Sequence, residues 1–261
     1  MKEIRLCDDG ELELTSKLCI NNNLGIEVQG FYDPYIKNKK ELLEKYKIEL
    51  SNINGGRSLH APFWDLNIGT KMHLLKKETM DMFNYAYDIA KKLGCTEIVV
   101  HNGYIPGTYF ADNWVKRAKE FWEKFFENKD KSITMCIENQ FELDSEIMKK
   151  EIDLVNDSRL KICLDIGHAN ANSNMKVEDW IISLGGRIGY LHLHNNHGKQ
   201  YIQDFNNDEH LGITNGTIDI KQVLSLLEKY APNSIWSIEA KTKYLEESII
   251  SLQEFGYIKG E

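Results

Sequence analysis

Short apolar runs alternate with longer amphipathic segments along this chain, and the alternation occurs eight times. The runs cover residues 2–7, 24–29, 57–61, 96–101, 132–138, 160–165, 188–194 and 234–240 and read as strands, with helices between them. Elements in this order imply a parallel sheet with crossover helices. The helical segments show which face they bury. Phe83, Ala86, Tyr87 and Ala90 fall at i, i+3, i+4 and i+7, as do Ile220, Val223, Leu224 and Leu227. Each segment therefore carries one apolar stripe to lay on the sheet, and Leu245, Ile249 and Leu252 do the same in the last. Gly94 before the fourth run and Gly185-Gly186 before the seventh are placed to end helices in the left-handed cap conformation. One long irregular stretch, roughly 196–218, is rich in Asn, Asp and Gly; loops of this length in a compact domain are usually functional or disordered.

The 261 residues fit this count, because ~250 is typical of a closed (β/α)8 TIM barrel, an α/β fold. Residues 1–261 are accordingly read as a single barrel domain. No apolar run approaches the ~18 residues that span a bilayer, and the opening Met-Lys-Glu-Ile-Arg-Leu lacks the features of a secretory signal, so the expectation is a cytoplasmic protein without membrane partners. Cys7, Cys19, Cys95, Cys136 and Cys163 are scattered and odd in number, which argues against a disulfide framework or a thiolate zinc site. A net charge of −8 and only five arginines offer no basic stripe for nucleic-acid phosphates, although a local patch would escape this argument.

In a barrel of this kind the active site lies at the C-terminal ends of the strands. His60 ends the third run, His101 the fourth, Glu138 the fifth and Asp165 the sixth, with His168 three residues on. The seventh carries His192 and His194, and the eighth ends at Glu239. Side chains alternate along a strand, so Glu138 shares the inner face with Cys136, and Asp165 with Cys163, while Leu191 and Leu193 point out and leave both His192 and His194 inward. Spacing alone does not choose between those two imidazoles as a ligand. Glu138, Asp165 and Glu239 need cations, since desolvation disfavours a buried unpaired carboxylate. Imidazole with carboxylate suits zinc, manganese or iron. Asp208-Glu209-His210 in the long loop adds an Asp-x-His pair for a second metal position. Taken singly, a strand-end His or Glu is more often a hydrogen-bonded or surface residue; six strands delivering such groups to one rim is hard to explain that way. Phe63, Trp64 and Tyr104 are candidates to line a substrate pocket, Cys136 and Cys163 are interior filling, and His73 and His197 are surface residues.

The motifs S-L-H-A-P-F-W-D-L-N, V-V-H-N-G, I-E-N, L-D-I-G-H-A, L-H-L-H-N, D-E-H-L-G-I-T-N-G-T-I-D and S-I-E-A together resemble the xylose isomerase-like TIM-barrel superfamily, which also contains the AP endonuclease family 2 proteins. The resemblance implies that the four ligands of its sugar epimerases match Glu138, Asp165, His192 and Glu239, which selects His192 and leaves His194 as a substrate-side candidate. It also implies that the further five ligands of endonuclease IV match His60, His101, His168, Asp208 and His210. Two departures stand out: Asn102 where endonuclease IV usually has Pro, and Gly167 where it usually has Cys. Its DNA-recognition loops have no recognisable counterpart. The expectation is therefore a metal-dependent isomerase or epimerase of a sugar or sugar phosphate, with one to three zinc or manganese ions and with Glu138 and Glu239 as base and acid. The alternative is a multinuclear zinc phosphodiesterase, with nucleic acid as the less favoured partner and a third zinc at His168, Asp208 and His210.

Overall fold

The computed structural model describes residues 2–199 and 208–259. Eight strands, β1 (Ile4–Cys7), β2 (Gly25–Val28), β3 (Arg57–His60), β4 (Glu97–His101), β5 (Thr134–Glu138), β6 (Leu160–Asp165), β7 (Ile188–Leu193) and β8 (Ile235–Ile238), close in sequence order into a barrel whose neighbours are all parallel. The expected (β/α)8 barrel is thus observed, each strand lying within its predicted run. The helices are α1 (Leu12–Asn22), α2 (Lys39–Leu50), α3 (His73–Leu93), α4 (Ala111–Phe126), α5 (Glu146–Val155), α6 (Ile166–Asn172), α7 (Val177–Leu184), α8 (Ile220–Tyr230) and α9 (Leu245–Glu254). None among the described residues is long and apolar enough to cross a membrane.

Every residue of the three predicted stripes is buried, including Phe83, Val223 and Leu252. The strands supply the facing layer through Ile98, Met135, Ile137, Ile162, Leu191 and Trp236, which join the same core. Alternation places Val99, Cys136, Cys163 and Tyr190 on the other face, where they form a separate cluster inside the barrel. Cys136 and Cys163 are therefore filling, as expected, and burial pushes their thiols well above the ordinary value.

Helix ends follow the expectation in part. Gly94 closes α3 in the left-handed conformation, at φ 71° and ψ 30°. Gly185 does not: its φ of 52° is paired with a ψ of −131°, and it leads from α7 into a 3-10 turn over Gly185–Arg187. Asn23 and Asn156 supply left-handed caps to α1 and α5, a role that asparagine tolerates better than most residues with a Cβ.

The arginines are spent on architecture. Arg5 is buried at the foot of the barrel against Glu3 and Glu97. Arg57 donates to the carbonyls of Leu50 and Leu93 at the C-terminal ends of α2 and α3, where orphan carbonyls and the helix dipole favour a cation. Arg159 reaches Phe126 O and Asp157, Arg187 pairs with Asp153, and Arg117 donates to Gly69 O.

Candidate active site

The strand register brings the predicted side chains into one funnel. His101 lies opposite Glu138, and Asp165 opposite His192. Glu138 stands at the centre: its Oε2 is 3.1 Å from Nε2 of both His60 and His101, and its Oε1 is 3.1 Å from His168 Nδ1 and 3.3 Å from His192 Nδ1. His192 Nδ1 also lies 2.9 Å from Glu239 Oε2 and 3.6 Å from Asp165 Oδ2. One donor atom from each of Glu138, Asp165, His192 and Glu239 lies within 4.8 Å of the others, and His60, His101 and Glu138 form a second such group.

Several imidazoles have one nitrogen fixed by a backbone carbonyl, which leaves the other aimed inward. Nδ1 of His60 donates to Ala61 O at 2.9 Å, Nδ1 of His168 to Asn139 O at 2.9 Å, and Nδ1 of His210 to Glu239 O at 2.7 Å. That arrangement sets the tautomer of a metal-ligating histidine. His210 holds this pose at φ 47°, an uncommon conformation for a residue with a side chain, and Lys241 N donates to its carbonyl at 2.9 Å.

The described part of the long loop is locked by buried asparagines. Asn195 and Leu211 exchange two backbone hydrogen bonds, and Asn195 Nδ2 donates to Ile213 O at 2.8 Å. This lock carries Asp208 and His210 into the funnel, 2.8 Å apart. His168 Nε2 reaches the same Asp208 oxygen at 3.2 Å, but the compact trio there is His194, Asp208 and His210. The family resemblance groups His168 with Asp208 and His210 and leaves His194 on the substrate side; in the fold both imidazoles approach Asp208, His194 Nε2 lying 3.7 Å from its Oδ1. His197, expected at the surface, is half-buried and bonds Glu209, while His73 is exposed as expected.

Electrostatics bind the cluster together. Burial alone would raise the carboxyl of Glu138, yet His192, His101 and His168 hold it well below the usual range. Asp165 is lowered in the same way against burial by His168 and His194. Burial opposes charging of the imidazoles, but the carboxylates win: His168 and His192 are held well above the ordinary value and His210 is raised to about 10. The pattern is that of an anionic nest seeking positive charge, which protons on imidazole supply when nothing else does.

A divalent metal fits this nest. His192 Nδ1 and Glu239 Oε2 approach to 2.9 Å, yet neither has a hydrogen-bond partner among the described residues; His101 Nδ1, His194 Nδ1 and Asp208 Oδ1 are also buried and unpartnered there. With His192 neutral and its Nε2–H donating to Glu27, Nδ1 and Glu239 Oε2 are two buried acceptors aimed at one point, which is costly unless a cation lies between them. Cys7 and Cys163 each fall in a further donor group with His192, and burial pushes both thiols well up.

Beside the nest opens a cavity of about 480 Å³. His60, His101, Glu138, His168, Asp208, His210 and Glu239 line its floor, with Phe63, Trp64 and Tyr32 on one side and Lys241 in the wall. Tyr32 packs edge-on to Trp64 at 5.4 Å. Tyr104, expected in this pocket, is not among the described residues that line it; its partly buried ring packs edge-on to Trp114 at 5.3 Å.

Two residues in contact with the cluster escaped the sequence reading. Glu27 in β2 is fully buried and accepts from His192 Nε2 at 3.1 Å and from Tyr190 Oη at 2.6 Å, and although burial opposes it, His192 holds its carboxyl at about 2. Alternation predicts its direction, since Ile26 and Val28 face the helices, but it does not sit at a strand end. Gln29 donates from Nε2 to Glu239 Oε1 at 2.7 Å.

A closed parallel barrel with His, Asp and Glu converging at its C-terminal rim defines the class, and the chain belongs to the xylose isomerase-like TIM barrel family, whose model matches residues 18–255. Among proteins similar to it is the uncharacterized protein MJ1311 of Methanocaldococcus jannaschii, 28% identical over 221 residues that cover 79% of this chain and 69% of that one. The fold is shared with the TTHB071 protein of Thermus thermophilus soaked with ZnCl2, at a TM-score of 0.75, 20% identity and 99% coverage of both chains. It is shared also with a D-tagatose 3-epimerase-like protein, at a TM-score of 0.74, 23% identity and coverage of 97% and 96%. Other sugar epimerases are among the structures with this fold.

Proposed function

We propose that this chain, acting as one barrel domain, is a divalent-metal-dependent isomerase or epimerase of a sugar or sugar phosphate. The observation that carries the reading is the pair of carboxylates Glu138 and Glu239, which face one small cavity and share a donor group with Asp165 and His192. A cavity of about 480 Å³ suits a single small molecule and not a duplex. The basic side chains agree. All five arginines are engaged in structural contacts outside the cavity wall, and Lys241 is the one Lys or Arg among its described lining residues. One cation is enough for one phosphate group and too few for a nucleic-acid backbone.

Glu138, Asp165, His192 and Glu239 would hold the metal. A metal held there would supply Lewis-acid polarisation of a carbonyl and a neighbouring hydroxyl of the sugar, acidifying the C–H of the hydroxyl-bearing carbon. Glu138 and Glu239 are the carboxylates placed to take a proton from that carbon and to return one, to its other face in an epimerase or to the neighbouring carbon in an isomerase. Gln29 orients Glu239 by donating to Oε1, which leaves Oε2 directed into the nest. Glu27 accepts from His192 Nε2 and so keeps Nδ1 facing the carboxylates. The Tyr32, Phe63 and Trp64 side offers an apolar face to the sugar's C–H groups and excludes water.

The grouping of His60 and His101 with Glu138, and of Asp208 with His210, favours a second reading, a multinuclear phosphoester hydrolase. Incorporation of solvent deuterium into ketoses or ketose phosphates separates the two. The isomerase reading predicts exchange at one carbon in the wild type and its loss in Glu239→Gln. Cleavage of small phosphodiesters or abasic duplex with no exchange into any sugar would reverse the choice.

A further inference from the structure

Gly167 in α6 leaves a space that a ring occupies. A Cβ at this position would lie 1.9 Å from Cε1 of His194 and 2.4 and 2.5 Å from its two nitrogens. Any larger residue would displace the imidazole, so Gly167 and His194 form one device. The ring so admitted is fully buried and stacks on His210, with centroids 4.1 Å apart and planes 12° apart. Its Nε2 lies 3.1 Å from both oxygens of Asp165 and 3.7 Å from Asp208 Oδ1, an atom with no hydrogen-bond partner among the described residues. His194, Asp208 and His210 offer donors within 4.8 Å of one another, and His168 Nε2 lies 3.2 Å from Asp208 Oδ2.

We propose that His194 is a metal ligand, joining His168, Asp208 and His210 in a site of three imidazoles and one carboxylate, and that the absence of a side chain at Gly167 is what admits it. The proposal rests on the reading of this rim as metal-binding, and it adds a division of labour. Four donors rich in imidazole suit zinc and fill a tetrahedral shell, the mark of a structural site. The neighbouring set of three carboxylates and His192 suits manganese or magnesium, which keep further positions for substrate oxygen. The zinc at His194 anchors the loop segment that brings Asp208 and His210 to the rim, and the carboxylate-rich position faces the chemistry.

The test is metal content by mass spectrometry after metal-free protein is loaded with zinc and manganese together and dialysed, with imidazole number at zinc read by X-ray absorption. Wild type should keep one zinc with three imidazoles. His194→Gln, which retains a donor for Asp165 but no imidazole, should fall from about one equivalent of zinc to under a tenth, with manganese content unchanged. Gly167→Ala should do the same by pushing the ring aside, and circular dichroism shows whether each variant is folded. Full zinc retention by folded His194→Gln would overturn the proposal, as would loss of manganese in step with zinc, because His194 would then act through Asp165. Zinc retention without deuterium exchange would sink the isomerase reading and leave this site standing.

Discussion

His192 depends on a partner outside the ring of donors. Glu27 fixes its Nε2 while Tyr190 Oη, 2.6 Å away, fixes Glu27, so a chain of hydrogen bonds climbs the barrel axis to the rim. A carboxylate that orients a ligating histidine commonly contributes ten- to a hundredfold in metal affinity. Glu27→Gln should weaken metal binding by about that factor in a chelator competition titration, with the circular dichroism spectrum kept. Unchanged affinity would remove Glu27 from the positioning role. A second buried acid lies in α5. Trp122 Nε1 donates to Glu151 Oε1 at 2.7 Å, Oε2 has no partner among the described residues, and burial, reinforced by Glu142, pushes the carboxyl up to about 8. The folded protein therefore keeps a proton on Glu151 that the unfolded chain, with an ordinary value of 4.5, releases. Stability falls as pH rises from 4.5 towards 8, by at most about 1.4 kcal/mol per unit, and then levels off. Glu151→Gln keeps an acceptor for Trp122 and abolishes this pH dependence. Its advantage over wild type should grow from pH 5 to pH 8 in denaturant titrations, and a constant difference would refute the assignment.

At the scale of elements, the turn from β6 into α6 combines two tasks. Asp165 is the last residue of the strand and the N-cap of the helix, its side chain accepting from His168 N at 2.6 Å. The cap positions Asp165 and His168 on the same turn of chain. Asparagine caps a helix as well as aspartate does, whereas alanine loses about 1 kcal/mol. Asp165→Asn should therefore retain metal-free stability and lose metal affinity, while Asp165→Ala loses both. Equal stability of the two variants in chelator would show that the cap contributes nothing. The glycine-free exits of α5 and α1 illustrate the complementary case: those helices end on Asn156 and Asn23, in a conformation their side chains tolerate.

Across the whole molecule the rim is a burden that a ligand relieves. Carboxylates and imidazoles from β2 through β8 are gathered out of water, with several donor atoms left unpartnered among the described residues. A cation bound by the folded state alone stabilises it by about 2.7 kcal/mol when its concentration is a hundred times Kd. Zinc or manganese should thus raise the thermal midpoint by several degrees in scanning calorimetry, chelator should reverse the shift, and Glu138→Gln should abolish most of it. A midpoint indifferent to metal would contradict the metal-centred reading as a whole.

The order of elements, the inward face of each strand and the convergence of His60, His101, Glu138, Asp165, His192 and Glu239 on one rim were legible in the sequence, because strand periodicity and barrel closure are local rules repeated eight times. Asp208 and His210 were visible as a pair in the loop. Three matters depended on contacts between distant segments. Glu27 became visible only when β2 and β7 faced each other across the axis, Tyr104 packs on Trp114, and His194 comes up beside His168 near Asp208, in the space over Gly167. Periodicity specifies which way a side chain leaves its strand; how deep it reaches and what it meets there is set by packing among residues that the chain order keeps apart.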